Sequence, residues 1–213
     1  MRHLVYHNAE LSNLSAQQDT TAGAISSAIY FLARHPEIQR TVREEVLEVI
    51  GDDEPQTEHY LRTPYLNAVI RESMRSNSPG TVTLPRISDR PVQIGSYLIP
   101  PNTPMMLNIT AAHYNKMIWN EPSAFDPRRF LGEAKQELEN WVTFGIGPRK
   151  CLARNFSMYE QRVLVSMLAR KYRWKLPEDS AHRDHVRNGF QAFALSLPEK
   201  LYIDFESIEG KAR

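Results

Sequence analysis

The run FGIGPRKCLA, Phe144 to Ala153, holds the one cysteine of the chain, Cys151. Two glycines and a proline shape a tight loop, basic residues flank the sulfur, and a helical pattern follows. A thiolate is favoured by neighbouring positive charge and by a helix N-terminus, whose free N–H groups stabilise an anion by roughly 0.3–1 kcal/mol. A lone cysteine is more often a small buried hydrophobe. This setting points instead to a metal ligand, because a bound metal removes the thiol proton outright.

A haem iron held through sulfur needs a rigid loop that comes close to the porphyrin face, with no bulky side chain where backbone meets ring. Gly145 and Gly147 meet that need. Backbone N–H groups just past the cysteine can donate to the sulfur and tune the iron. Arg149 can pair with a porphyrin carboxylate, and Phe144 supplies apolar cover for the sulfur.

The run resembles the haem-ligand signature F-x-x-G-x-R-x-C-x-[GA] of the cytochrome P-450 (haem-thiolate monooxygenase) superfamily. Phe144, Gly147, Arg149, Cys151 and Ala153 match it in order. The resemblance is to eukaryotic microsomal, fungal-type members, and it implies heme b (iron protoporphyrin IX) with Cys151 as the axial ligand.

Composition fits a globular fold: 213 residues, 41% apolar and 24% charged. A net charge of +1, with basic residues scattered along the chain, leaves no footprint for nucleic acid. One cysteine excludes an internal disulfide and fits a reducing compartment. The first residues lack the apolar core of a signal peptide, and the uncharged run Thr20 to Ala33 is too short to span a bilayer. A second uncharged stretch, Pro91 to Tyr114, is broken by four prolines, so no membrane anchor is expected.

Apolar spacing predicts a helix from about Leu11 to Ala33 with Ile25, Ile29 and Leu32 on one face, ended by His35-Pro36. A second helix starts at Pro36, buries Ile38, Val42, Val46 and Val49, and stops near Gly51. Asp52 to Glu58 reads as a surface loop. A third helix, Pro64 to Arg75, carries Leu66, Val69, Ile70 and Met74 inward. Val92–Ile94 and Tyr97–Ile99 form a hairpin through Gly95-Ser96. Met117 to Phe130 is irregular, and Gly132 to Asn140 is a charged excursion. A helix from Leu152 to Lys171 turns Phe156, Val163, Met167 and Leu168 inward, and Leu201, Ile203 and Phe205 alternate as a last strand. The expected class is mainly α with small β-sheets (α+β).

Further motifs support the resemblance. Glu72 and Arg75 lie three apart on the third helix, a spacing that usually marks a solvated surface pair worth about 0.2–0.5 kcal/mol. In the family, E-x-x-R on this helix meets an arginine from a P-x-R-F segment, matched by Pro127, Arg129 and Phe130. The implied role of Glu72, Arg75 and Arg129 is a structural brace for the cysteine loop.

Ala16 to Thr21, AQQDTT, resembles the oxygen-activation stretch [AG]-G-x-[DE]-T, although its polar run could also mark a mere helix bend. The resemblance implies that Ala16 leaves room beside the haem, Thr20 hydrogen-bonds the oxygen, and Asp19 relays protons. Gln17 departs from the usual glycine. Arg86 matches a propionate contact. His113 and Trp119 follow the family's H-x-x-x-x-x-W; Trp119 reads as packing and His113 as a satisfied structural histidine, with a propionate contact as the alternative. Lys150 and Arg154 match a basic patch that receives an electron donor.

The resemblance covers residues 1–213 as a partial domain, the C-terminal half of the family's fold from central helix to last strands. The absent half normally holds the membrane anchor and most of the substrate roof, and full-length relatives face the cytoplasm from the endoplasmic reticulum. The implied activity is insertion of one oxygen atom from dioxygen into an apolar organic substrate, with NADPH electrons delivered by NADPH-cytochrome reductase. Ser78 to Leu84 and the Phe193 to Leu195 turn would line the pocket. The alternatives are a catalytically inert truncated homologue acting as a structural or interaction fragment, and a haem-thiolate isomerase or peroxygenase.

Overall fold

The computed structural model describes residues 19–132, 139–191 and 195–208. Proline punctuates its helices. Helix α1 covers 19–34, and α2 (Pro36–Val49) and α3 (Pro64–Ser76) each place proline in the first turn, where its missing N–H removes nothing. Thr63 gives α3 no side-chain cap. Glu45 of α2 supplies it, accepting from Tyr65 N and Leu66 N at 2.8 Å each, although burial raises its pKa above the ordinary carboxylate value. Thus α2 orients α3, the helix that carries Glu72 and Arg75.

A short helix α4 (Ile109–His113) follows, capped by the Asn108 side chain accepting from Ala111 N. The last helix, α5 (Arg154–Lys171), packs on α2 and α3. Three two-stranded antiparallel sheets complete the fold. β1 (Val92–Ile94) pairs with β2 (Tyr97–Ile99), β3 (Tyr172–Lys175) with β6 (Asp204–Ser207), and β4 (Asn188–Gln191) with β5 (Leu195–Pro198). The core joins Ala28 and Leu32 of α1, Val42 and Val46 of α2, Leu66 and Ile70 of α3, and Val165 and Ala169 of α5. Buried Gln39 ties three of these elements together, donating to Leu32 O (3.0 Å) and Trp174 O (2.9 Å) and accepting from Trp174 N (3.1 Å).

The mainly α, α+β expectation holds, as do the starts of α2 and α3 and the β1–β2 hairpin. The part of the first helix before residue 19 and most of the 132–140 excursion lie outside the described residues.

The inward face expected for α5 is corrected. Phe156 and Met167 are 58% and 40% exposed, while Ser157, Met158, Gln161, Val165, Ser166 and Ala169 are buried. Close helix contact selects small and hydrogen-bonded side chains: Thr21 Oγ1 donates to Ser157 Oγ at 3.1 Å, and Gln161 Nε2 reaches Ser157 Oγ at 3.3 Å. The last strand also shifts, since residues 201–203 are not in a strand and β6 begins at Asp204.

Candidate haem-thiolate site

The cysteine loop is held by its own backbone. Gly145 N donates to Val142 O (2.8 Å), Lys150 N to Gly147 O (3.1 Å), and Cys151 N to Phe144 O (2.8 Å). Gly145 and Gly147 have φ of 71° and 72°, the left-handed region that a side chain makes unfavourable. A Cβ built on Gly147 meets no atom within 4 Å, so the loop presents open backbone there.

Cys151 is exposed at the start of α5. An uncovered apolar collar surrounds it in sequence: Ile146 is 67% exposed, Leu152 100%, and Phe156 on the first turns of α5 stands out with them. These exposed side chains are available to cover an apolar group placed against the loop. Phe144 is half-buried with its ring edge-on to Trp141 at 5.7 Å, packed against the core. Arg149 lies exposed in the loop's 3₁₀ turn. Arg86 is exposed on a segment bridged to Met105 by two 2.8 Å backbone bonds, and neighbouring Leu84 and Ile87 are also uncovered. Neither arginine has an ion-pair partner among the described residues.

Behind the loop, Glu72, Arg75 and Arg129 meet. Glu72 is fully buried and accepts from Arg75 Nε (2.7 Å) and Nη2 (2.8 Å) and from Asp126 N (2.9 Å), with Arg129 Nε at 3.5 Å. Arg75, equally buried, also donates to His113 O at 2.9 Å and Ala124 O at 3.2 Å, and its guanidinium lies over the rings of Trp119 and Tyr114. Sequence spacing alone suggests a surface pair here; burial makes it part of the core.

His113 is also fully buried, edge-on to Trp119, and its Nε2 accepts from Val142 N at 3.1 Å. Burial and then the Arg75 charge push its pKa down to about 4, with an Arg75 backbone interaction acting the other way. The unfolded chain therefore binds more protons between pH 6.5 and about 4, and stability that is full above 6.5 is lost as pH falls through that window. Urea unfolding at pH 7 and pH 5 is expected to show the wild type losing about 2 kcal/mol more than His113→Gln.

Asp19 and Thr20 open the described part of α1, Asp19 exposed and Thr20 half-buried. The Thr21–Ser157 bond places this end of α1 beside α5 six residues past Cys151. Ala16 lies outside the described residues. Two segments expected to line the pocket come together where Gly80 bridges Leu195 and Ser196 N donates to Pro79 O (2.8 Å); residues 193 and 194 lie outside the described residues. A cleft of about 290 Å³ beside the loop is lined by Glu139, Trp141, Phe144, Gly145, Ile146, Gly147, Lys150 and Arg154. Arg71 lies close enough to Arg154 that this charge, after burial, lowers its pKa. Among the described residues no cluster of three His, Cys, Asp or Glu side chains could hold a bare metal ion, and no helix is long and apolar enough to cross a membrane.

The sequence profile described as Cytochrome P450 matches residues 8–203. The chain belongs to the cytochrome P450 family. Cytochrome P450 4F5 of Rattus norvegicus is 35% identical over 170 residues, 78% of this chain and 32% of the relative. A flavonoid 3',5'-hydroxylase of Crocosmia x crocosmiiflora is 34% identical over 200 residues, 90% of this chain and 37% of the relative. A zebra fish cytochrome P450 solved with abiraterone superposes with a TM-score of 0.77 at 25% identity, covering 89% of this chain and 45% of that one.

The chain spans about a third of the length of the curated relatives it matches. These relatives are animal and plant proteins and lend no support to a fungal-type assignment. Cytochrome P450 proteins are haem-dependent oxidoreductases of the monooxygenase type. The donors present fit that cofactor: one exposed thiol on an open glycine loop, an apolar collar, and two unpaired surface arginines.

Proposed function

We propose that the chain is the haem-bearing part of a monooxygenase that inserts one atom of dioxygen into an apolar organic substrate. The observation that carries this reading is the exposed Cys151 on its backbone-locked loop, set in uncovered apolar surface. Bound haem supplies the redox chemistry of oxygen activation. Cys151 would be the sulfur ligand, Gly145 and Gly147 would let the backbone lie close to the ring, Ala153 and Phe144 would flank the ligand, and the family motif assigns Ala16 to the cofactor as well. Arg86 and Arg149, both exposed, would pair with the propionate carboxylates.

Thr20 and Asp19 hold and pass protons, the Thr20 hydroxyl donating and the Asp19 carboxylate replenishing it from solvent. Glu72, Arg75 and Arg129 keep the loop in place. Lys150 and Arg154 receive the acidic face of an NADPH-dependent reductase, raising the encounter rate. The substrate side is formed where Ser78 to Leu84 meets Leu195.

The test is dealkylation of ethoxycoumarin by the haemin-loaded chain with reductase and NADPH. In Thr20→Ala, product formed per NADPH consumed is expected to fall about tenfold or more, with peroxide-driven turnover preserved. Turnover with peroxide but never with NADPH would assign a peroxygenase instead. Failure to take up haemin would leave an interaction fragment.

A further inference from the structure

We propose that His113 is a positioning residue for the thiolate loop, its imidazole transmitting the placement of the buried Glu72–Arg75 pair to the backbone that carries Cys151. The inference rests on the reading of Cys151 as the haem ligand. His113 ends α4, and both its backbone and its ring are engaged. Its carbonyl accepts from Arg75 Nη1 at 2.9 Å, and its Nε2 accepts from Val142 N at 3.1 Å. Val142 O then accepts from Gly145 N (2.8 Å), and Phe144 O, one residue back, accepts from Cys151 N (2.8 Å). A continuous path thus leads from a fully buried carboxylate to the residue that holds the sulfur. The neighbouring Trp141 Nε1 donates to Arg71 O at 3.2 Å, so residues 141 and 142 are tied to α3 directly and through α4.

The choice of side chain supports a polar role over packing. Because Nε2 accepts a backbone N–H, the ring proton sits on Nδ1, and Nδ1 is buried with no hydrogen-bond partner among the described residues. Such an orphan donor is unfavourable and needs a reason. A phenylalanine of similar size would fill the space without it, but would leave Val142 N–H unpaired. The imidazole fits this position because it fills the space of a ring and places an acceptor, Nε2, at Val142 N. With Nε2 occupied and Nδ1 buried, His113 has no nitrogen for a propionate, so it acts through the loop and not on the cofactor.

The test compares wild type, His113→Gln, whose amide oxygen falls near Nε2, and His113→Phe, which keeps the ring and drops the acceptor. Amide hydrogen exchange at Val142, Gly145 and Cys151 is measured on the full chain, and the ferrous carbon-monoxide spectrum on the haemin-loaded chain. In His113→Phe, protection at the three amides should fall about tenfold, the scale of one lost buried hydrogen bond, and part of the thiolate-type band should convert to the neutral-thiol type. His113→Gln should keep both. Wild-type behaviour in His113→Phe, or equal losses in both variants, would overturn the proposal. If His113→Phe does not fold, His113→Asn, whose oxygen stops short of Val142, takes its place with the same expectations. A wild-type chain that takes up no haemin would sink the haem reading alone, since the exchange measurement still decides the His113 link.

Discussion

Glu72→Gln is expected to remove about 3–5 kcal/mol of folding stability, a large share of the roughly 5–15 kcal/mol that holds a domain together. The carboxylate is fully buried and accepts three hydrogen bonds, two from Arg75 and one from Asp126 N, with Arg129 close by. An amide of the same shape carries no charge and has one acceptor oxygen in place of two. It leaves Arg75, itself fully buried, as an uncompensated cation among apolar side chains and rings. Breaking one side of a buried pair costs far more than the pair contributes over an apolar replacement, because the partner stays desolvated.

The matched control is Glu44→Gln. Glu44 pairs with Arg40 at 3.6 Å, both side chains well exposed, and this change should stay within about 0.5 kcal/mol. Urea unfolding followed by far-ultraviolet circular dichroism measures both. Equal midpoints for the two variants would show that Glu72 braces nothing.

Cys151→Ser should do the reverse, leaving the fold alone and abolishing the thiolate signature. The side chain is exposed, and the loop bond from residue 151 N to Phe144 O belongs to the backbone, so stability should change by less than about 0.5 kcal/mol. A serine hydroxyl does not ionise near neutral pH and cannot supply the soft anionic sulfur that a haem-thiolate ligand requires. The haemin-loaded variant is therefore expected to lose the thiolate-type ferrous carbon-monoxide band completely. Its unfolding midpoint should coincide with that of the wild type.

Local signals were legible in the sequence wherever one residue controls the backbone. Pro36 and Pro64 mark the starts of α2 and α3, and Gly95-Ser96 marks the β1–β2 hairpin, because these act within a few residues. The α5 face was misread because its apolar residues lie around the whole helix, and the side facing α1 and α3 is built from Ser157 and Gln161. Strands β3, β4 and β5 are four residues each and drawn from mixed polar sequence, too short for a periodic pattern to show.

The site was legible through the cysteine loop, where glycine, arginine and cysteine stand close together. Its support was legible only through the resemblance, which joins Glu72 and Arg75 to Arg129. Glu72 and Arg129 lie 57 positions apart and Asp126 N is 54 from the carboxylate it binds, so spacing alone leaves Glu72 and Arg75 looking like an ordinary surface pair. The bond from Val142 N to the His113 ring joins a backbone amide to a side chain 29 residues away and has no sequence signature at all.

The most direct measurement is the reduced carbon-monoxide difference spectrum of the purified wild-type chain after titration with haemin. One equivalent of haemin taken up, with a thiolate-type Soret band, is the result expected if Cys151 on this loop holds the iron. Failure to take up haemin, or a band of the neutral-ligand type in a chain whose fold is intact, would contradict it.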